Sequence, residues 1–496
     1  MALENQSRIT VTLRALVFTL LSAGGYVAIS YFTNRVWFYQ FIGLYAGLFV
    51  LYFAFVQWYL TRQETLTIRH IQVIGVLLRL SVFFLIPNLS DDFFRFYWDG
   101  KLLFHGYNPY LILPKDFVGT PEALQHGFDQ ALYESLAGIS QVHYTLYPPF
   151  NQALFATAAG LFPHDLFGGA LVMRFWILLA DIGIIWLIPQ ILKALGRSSK
   201  GVAWYALNPY LVLELTANLH FEGVMIFMLL LAFYWLIKGG YLLTGAHQGS
   251  THYLLPIRVR LFEITLPDPA TVKPKYLILS AVAFTLAVNT KLIPLIFLPP
   301  LLLFLGWKRS IIYYGIVIGL TAFLFSFFIT PDFITKFQDS FNLYFQKFEF
   351  NASVYYVLRW IGYQTHGYNL IAVFGVALSI VSTLGALVIA LYPTRKAQAK
   401  HLVLKMVFIL TFYYSMATIV HPWYISVILT LAIFTPYRFP MVWSAMLGLT
   451  YYAYSTNPYH ENLYLVAVEY LVVVGWLIWE LFKVARRPNK VGLSEK

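Results

Sequence analysis

Between Ser90 and Tyr110 the chain reads SDDFFRFYWDGKLLFHGYNPY. Its acids Asp91, Asp92 and Asp99 follow directly on one apolar stretch, 70–88, and stand far ahead of the next, 168–192. Only 11% of the chain is charged, against 59% hydrophobic residues. Acids in such a setting cost free energy unless water or a partner meets them. The stretch therefore marks a water-exposed mouth at a membrane surface, lined by carboxylates and aromatics, and it is the candidate seat of chemistry.

The rest of the chain supports that setting. A mean hydropathy of +0.67 lies far from that of a soluble domain of average composition. Aromatic residues reach 19%, which suits interfacial belts where amphipathic rings sit at headgroup level. Residues 1–9 are polar, and the apolar run behind them, about 20 residues, is long enough to stay as a transmembrane helix. The net charge of +12 is not gathered on one face or tail. Its positives fall in short connections between apolar runs, a product of topology, so nucleic acid is not an expected partner. Cysteine is absent, which excludes disulfides, thiolate metal sites and cysteine nucleophiles. A bacterial inner membrane is the preferred location.

Apolar spans are read near 10–32, 38–60, 70–88, 168–192, 201–213, 222–238, 276–289, 292–306, 309–330, 368–392, 402–420, 423–435, 440–454 and 463–484. The expected fold is an all-α polytopic membrane protein, one integral domain over 1–496, with about 12–14 transmembrane helices. With the N-terminus inside, Arg62, Arg69, Lys193, Arg197, Lys200, Lys308, Arg309, Arg395 and Lys400 all fall on the cytoplasmic side, as positive-inside sorting requires.

That agreement needs 147–162, which opens Tyr147-Pro148-Pro149, to lie on the outer surface as an amphipathic or re-entrant helix. Prolines are tolerated in a first helical turn. Residues 89–167 then form one long external segment with loop helices and 331–367 a second, while 239–275 is a cytoplasmic connector. The other external connections, among them 214–221, 290–291 and 421–422, are short. Long loops in compact proteins are usually functional.

Helix capping explains part of the acidic run, since Ser90, Asp91 and Asp92 precede an expected helix over Phe93–Phe104. Only one residue can be the cap, so a second acid is left over. Adjacent side chains point in different directions, so one acid is expected to hold the backbone while the other faces the cavity. Spacing of four residues also allows a ladder Asp91–Arg95–Asp99.

The run of SDD, an aromatic-rich helix with WDG, GYNPY and then YPPF resembles the first external loop of the GT-C superfamily of membrane glycosyltransferases. It is most similar to the bacterial branch related to polyprenyl-phosphate-dependent mannosyltransferases. ALNPYLVLELTANLHFEG at 206–223, NTKLIPLIFLPP at 289–300, FEFNASVYYVLR at 348–359 and HPWY at 421–424 extend the likeness along the chain. The resemblance implies a GT-C-like helix bundle that moves a hexose, mannose favoured, from a polyprenyl-phosphate donor. The acceptor would be a hydroxyl of a glycan, lipid or protein outside the cytoplasm. An acid early in the first external loop is the general base in that superfamily; here it falls on Asp91 or Asp92, with Asp99 behind them.

Such a transfer needs one positioned carboxylate for the acceptor proton and donors for the leaving phosphate, but no cofactor and no metal. Single displacement inverts the anomeric centre, so a β-linked carrier sugar would give an α-linked product. Lys291 and His421, at external tips, are the expected phosphate donors, each of which could instead be an interfacial anchor. Lys347, Arg359 and Arg174 stand behind them. His220 and Glu222 lack a third nearby ligand for a metal site and suit sugar hydroxyls or loop structure. Trp98, Trp360, Trp423 and Tyr147 are belt aromatics or sugar platforms.

Two other classes compete. A transporter would show inverted repeats and mid-membrane acids, and neither is evident. A lipid-linked glycan polymerase or ligase would carry more external arginines for a pyrophosphate.

The cysteine-free chain makes the topology simple to test. A Thr120→Cys variant should react with an impermeant maleimide in intact cells. Labelling only after permeabilisation would reverse the orientation.

Overall fold

The computed structural model describes residues 2–62, 66–244, 250–254, 263–346, 348–394, 396–456 and 459–486. The chain is 74% helical. Its longer helices are α1 (Ala2–Phe32), α2 (Phe38–Thr61), α3 (Ile68–Leu80), α4 (Asp92–Phe104), α5 (Pro149–Leu161), α6 (Leu166–Ala194) and α7 (Glu222–Lys238). They continue as α8 (Pro274–Thr290), α9 (Trp307–Ser326), α10 (Phe333–Gln346), α11 (Val354–His366), α12 (Ile371–Leu391), α13 (Ala399–Met416) and α14 (Leu463–Ala485). The all-α polytopic membrane fold expected from hydropathy is the fold observed.

Among the described residues, six helices are long and apolar enough to cross a membrane, or seven with one bent pair counted as a span. The other apolar stretches are shorter or broken helices, such as Ile293–Leu305 and Pro422–Ala432. Prolines supply many of the breaks, because each removes a backbone donor. Pro294 stands in the first turn of one such piece and Pro422 opens another.

Two connections carry structure that hydropathy did not show. The connector 239–275 contains an antiparallel strand pair, β1 (Ser250–Leu254) with β2 (Glu263–Pro267), in which His252 faces Thr265. The alternation His-Tyr-Leu and Glu-Ile-Thr-Leu carries that strand pattern. The supposed external connection 214–221 is buried throughout. There Pro209–Ala217 ends in a π-helical turn over Val212–Ala217 and bends by 111° into α7. Leu219 at the bend has φ +63°, a left-handed conformation that costs a leucine about 1–3 kcal/mol. Packing on all sides holds it.

Broken helices in a bilayer free carbonyls that something must satisfy. Arg174 of α6, fully buried, does so for both breaks. It donates to the carbonyls of Phe83 and Leu85 at 2.7 Å each, Thr216 at 2.9 Å and Ala217 at 3.1 Å. A second buried group ties the same helices: Arg79 Nε meets Asp181 at 2.7 Å, and that carboxylate also accepts from Thr216 at 3.1 Å. Arg174 therefore serves the backbone rather than a phosphate.

Helices α4 and α5 make the floor of the first long segment, packed along each other. Phe96 stacks on Phe155 at 4.7 Å, and Trp98 is fully buried against Phe128 rather than standing in a belt. The approach is close enough that a Cβ on Gly100 would fall 2.3 Å from the Phe155 carbonyl oxygen. Segment 331–367 is helical as expected, folding as α10 and α11. Asn108 donates to the Phe328 carbonyl at 2.8 Å, just ahead of the second long segment, and Ser340 within it accepts from Tyr144 N at 2.7 Å, joining the two.

Gly100→Ala should therefore destabilise the protein by about 1–3 kcal/mol through overpacking. Gly43→Ala, in open space within α2, should be neutral or gain up to about 1 kcal/mol from helix propensity. Thermal unfolding in one detergent compares the two.

Candidate active site

Several helix connections converge on a cavity of about 1120 Å³, whose wall includes Arg35, Asp91, Asp92, Lys291, His421 and Tyr454. Its far flank is α12, through Val376, Ile380 and Leu384. α12 is itself long and apolar enough to cross a membrane, so the cavity is bounded there by a candidate membrane-spanning helix.

The acids reach the cavity at the start of α4. Asp91 occupies the N-cap position with helical φ and ψ, and its side chain makes no cap hydrogen bond. Ser90 Oγ accepts from Asp92 N at 3.4 Å instead. Neither acid is spent on the cap that the sequence suggested. Asp91 pairs with Arg35, from the α1–α2 connection, at 2.6 Å, and Arg35 lies over the Tyr454 ring at 5.3 Å.

Asp92 has no such close cation among the described residues. Its Oδ2 is 3.8 Å from His220 Nε2, and its side chain is 31% exposed, toward the cavity rather than an open surface. Burial pushes its carboxyl above the usual range, opposed by nearby His220 and Lys291 and reinforced by Glu222 and Asp91.

The ladder Asp91–Arg95–Asp99 forms only in its second half. Arg95 Nε meets Asp99 at 2.7 Å, and Nη1 donates to the carbonyls of Ser140 at 2.6 Å and His143 at 3.0 Å. Asp91 precedes the first turn, so it does not share the helix face that spacing assigns it. Asp99 is fully buried and lines no part of the cavity. Burial raises its carboxyl as well, against Arg95. Its place is structural, tying α4 to the 138–145 segment.

Lys291 stands at the C-cap of α8. It pairs with Glu222 at the start of α7 and lies 5.9 Å from the Tyr147 ring and 5.2 Å from Tyr424. His421 is held between Trp423, at 4.5 Å and 7°, and Phe350, at 5.0 Å. Burial, with Lys291 and His220 nearby, pushes its imidazole down to about 3. At neutral pH it is thus a hydrogen-bond donor, not a cation, and its buried Nδ1 has no partner among the described residues.

Trp423 also stacks on His220 at 3.9 Å. His220 and Glu222 turn apart, one toward Asp92 and the other toward Lys291. Among the described residues no three of His, Asp and Glu group so as to hold a metal ion. Trp360 is exposed on α11, as a belt residue would be. Arg359 pairs with Glu349 away from the cavity wall, and Lys347 lies outside the described residues.

Arg35 and Glu214 escaped the sequence reading. Arg35 sits in the turn Thr33–Trp37, on the same side as the acids, and a lone arginine there runs against positive-inside sorting. Glu214 interrupts the apolar run LVLELTA, and a carboxylate in such a run is a functional candidate by default.

The family model described as alpha-(1->6)-mannopyranosyltransferase, N-terminal domain, matches residues 15–307. That is more than half of the chain, and it takes in Arg35, both acids, His220, Glu222 and Lys291. No curated protein and no solved structure matches. With the acids, the lysine and the polytopic helical fold all inside the matched region, the chain belongs to this family of GT-C type membrane mannosyltransferases.

Proposed function

We propose that the protein moves a mannosyl group from a polyprenyl-phosphate carrier to a hydroxyl of a mannoside acceptor, with inversion, on the extracytoplasmic face of a bacterial inner membrane. The observation that carries this is one cavity holding a loosely partnered carboxylate, Asp92, and a lysine, Lys291, and bounded by α12, a helix long and apolar enough to cross a membrane. A lipid-borne donor could lay its tail along α12 and bring its phosphate to Lys291.

Asp92 is the better base of the two acids. Asp91 is engaged by Arg35 at 2.6 Å, whereas Asp92 has no close cation among the described residues and burial raises its carboxyl. A base works best with a pKa near the working pH. As the acceptor O–H gives its proton to Asp92, the oxygen bonds to C1 and the C1–O bond to phosphate breaks, through an oxocarbenium-like transition state. Lys291 and His421, whose Nδ1 has no partner among the described residues, would receive the charge that collects on the phosphate. The α-(1→6) linkage in the family's description fits inversion of a β-linked donor at a primary acceptor hydroxyl.

Asp92→Asn should lower turnover by about 10²–10⁴-fold without lowering the melting temperature. Asp91→Asn should keep most turnover. In the wild type the ionised base is the active form, so kcat/KM should fall as pH drops through the Asp92 pKa. That limb should lie above the ordinary carboxylate range of about 4. Equal, near-wild-type rates for both variants would remove this assignment.

Lys291→Ala should weaken donor binding by about 2–5 kcal/mol and leave the acceptor KM unchanged. Part of the loss would come from Glu222, left buried without its partner. Lys291→Ala combined with Glu222→Gln should recover that part and no more. Unchanged donor affinity in both would place phosphate binding elsewhere.

A further inference from the structure

Behind Asp92 lies a buried group that proton abstraction alone does not use. His220 Nδ1 is 2.8 Å from the backbone carbonyl of Glu214. A carbonyl only accepts, so the hydrogen of the neutral ring sits on Nδ1 and the lone pair on Nε2. That Nε2 faces Ser90 Oγ at 3.3 Å and Asp92 Oδ2 at 3.8 Å.

On the other side, Nδ1 is 3.5 Å from the Glu214 carboxylate. Glu214 is 2% exposed. It accepts from Tyr451 Oη at 2.6 Å and Asn218 Nδ2 at 3.3 Å, both neutral donors. A buried carboxylate needs a counter-charge, and the imidazole is the group placed to become one. The π-turn and the strained Leu219 fix this arrangement, and the Trp423 ring holds the imidazole from its face.

We propose that His220 takes the proton on from Asp92 and that Glu214 balances the imidazolium, so that the three act as one proton relay. The inference rests on Asp92 being the base. The proton passes from the acceptor oxygen to Asp92, then to His220 Nε2, and leaves to solvent as product departs; nothing is oxidised or reduced. The 3.8 Å gap closes when substrate fills the cavity, as catalytic hydrogen bonds commonly do. The charged and titratable groups facing the imidazole are Asp92 from α4, Glu214 from the π-turn and neutral His421, with the Lys291–Glu222 pair across the mouth. His220 and Glu214 are positioning and proton-storing residues, since neither is placed on the substrate.

The test uses the full-length protein in nanodiscs, with polyprenyl-phosphomannose and a short α-mannoside. His220→Gln should lower kcat by about 10²-fold with donor KM unchanged. Glu214→Gln, which keeps its hydrogen-bonding shape, should lower kcat as well. The double variant should be no slower than the slower single, because parts of one unit are non-additive. Added imidazole should restore turnover to His220→Ala, which a purely structural histidine would not allow.

Wild-type kcat in His220→Gln beside an inactive Asp92→Asn would overturn the relay and leave the base intact. Additive losses in the double variant would also overturn it. An active Asp92→Asn would instead overturn the reading beneath it. If His220 variants fail to fold, full activity of Glu214→Gln would still refute the proposal and a kcat loss at unchanged melting temperature would support it.

Discussion

One guanidinium holds together the two breaks from which the candidate site is built. Arg174 donates to the carbonyls of Phe83 and Leu85, just beyond α3, on one side and to those of the π-turn's end, Thr216 and Ala217, on the other. Asp91 and Asp92 lie a few residues beyond the first break, and His220 a few beyond the second. A bilayer does not tolerate unpaired carbonyls, so neither break could persist at that depth without such a donor. Only arginine offers five N–H groups in a rigid fork; a lysine could not span both segments. The distance between Asp92 and His220 is in this sense set by a residue that touches neither.

The adjacent acids show how neighbours rather than sequence position divide labour. Asp91 and Asp92 are chemically identical and consecutive. One meets Arg35 across the bundle; the other meets an imidazole and a cavity. The cations are divided in a similar way. Lys291 is charged but leans on Glu222, while His421, squeezed between aromatic rings, stays neutral and offers a single donor.

Much of this was legible before any fold was known. Apolar runs located many of the helices, Pro148-Pro149 marked the start of α5, and the structure brings the SDD run, Lys291 and His421 to one cavity. What failed did so for a common reason: spacing along a chain says nothing about what arrives from elsewhere. The i, i+4 rule assigned Arg95 to Asp91, but Asp91 lies before the helix begins and its partner comes from 56 residues away. Capping logic gave an acid to the backbone that Ser90 serves. Read as a short external connection, 214–221 gave no sign of being a buried bend, which Arg174 and the buried Arg79–Asp181 pair make possible. The charge on Glu214 was the available clue.

The outer wall of the cavity has its own consequence. Val376, Ile380 and Leu384 line the cavity and belong to α12, a helix long and apolar enough to cross a membrane. A ligand entering past them arrives by lateral diffusion in two dimensions, already oriented with its headgroup at the surface. Its effective concentration is then a mole fraction in the leaflet, not a molarity in the aqueous phase. Bilayer composition, thickness and competing amphiphiles become kinetic variables of the enzyme, and a rate measured in detergent micelles reports the micelle as much as the protein.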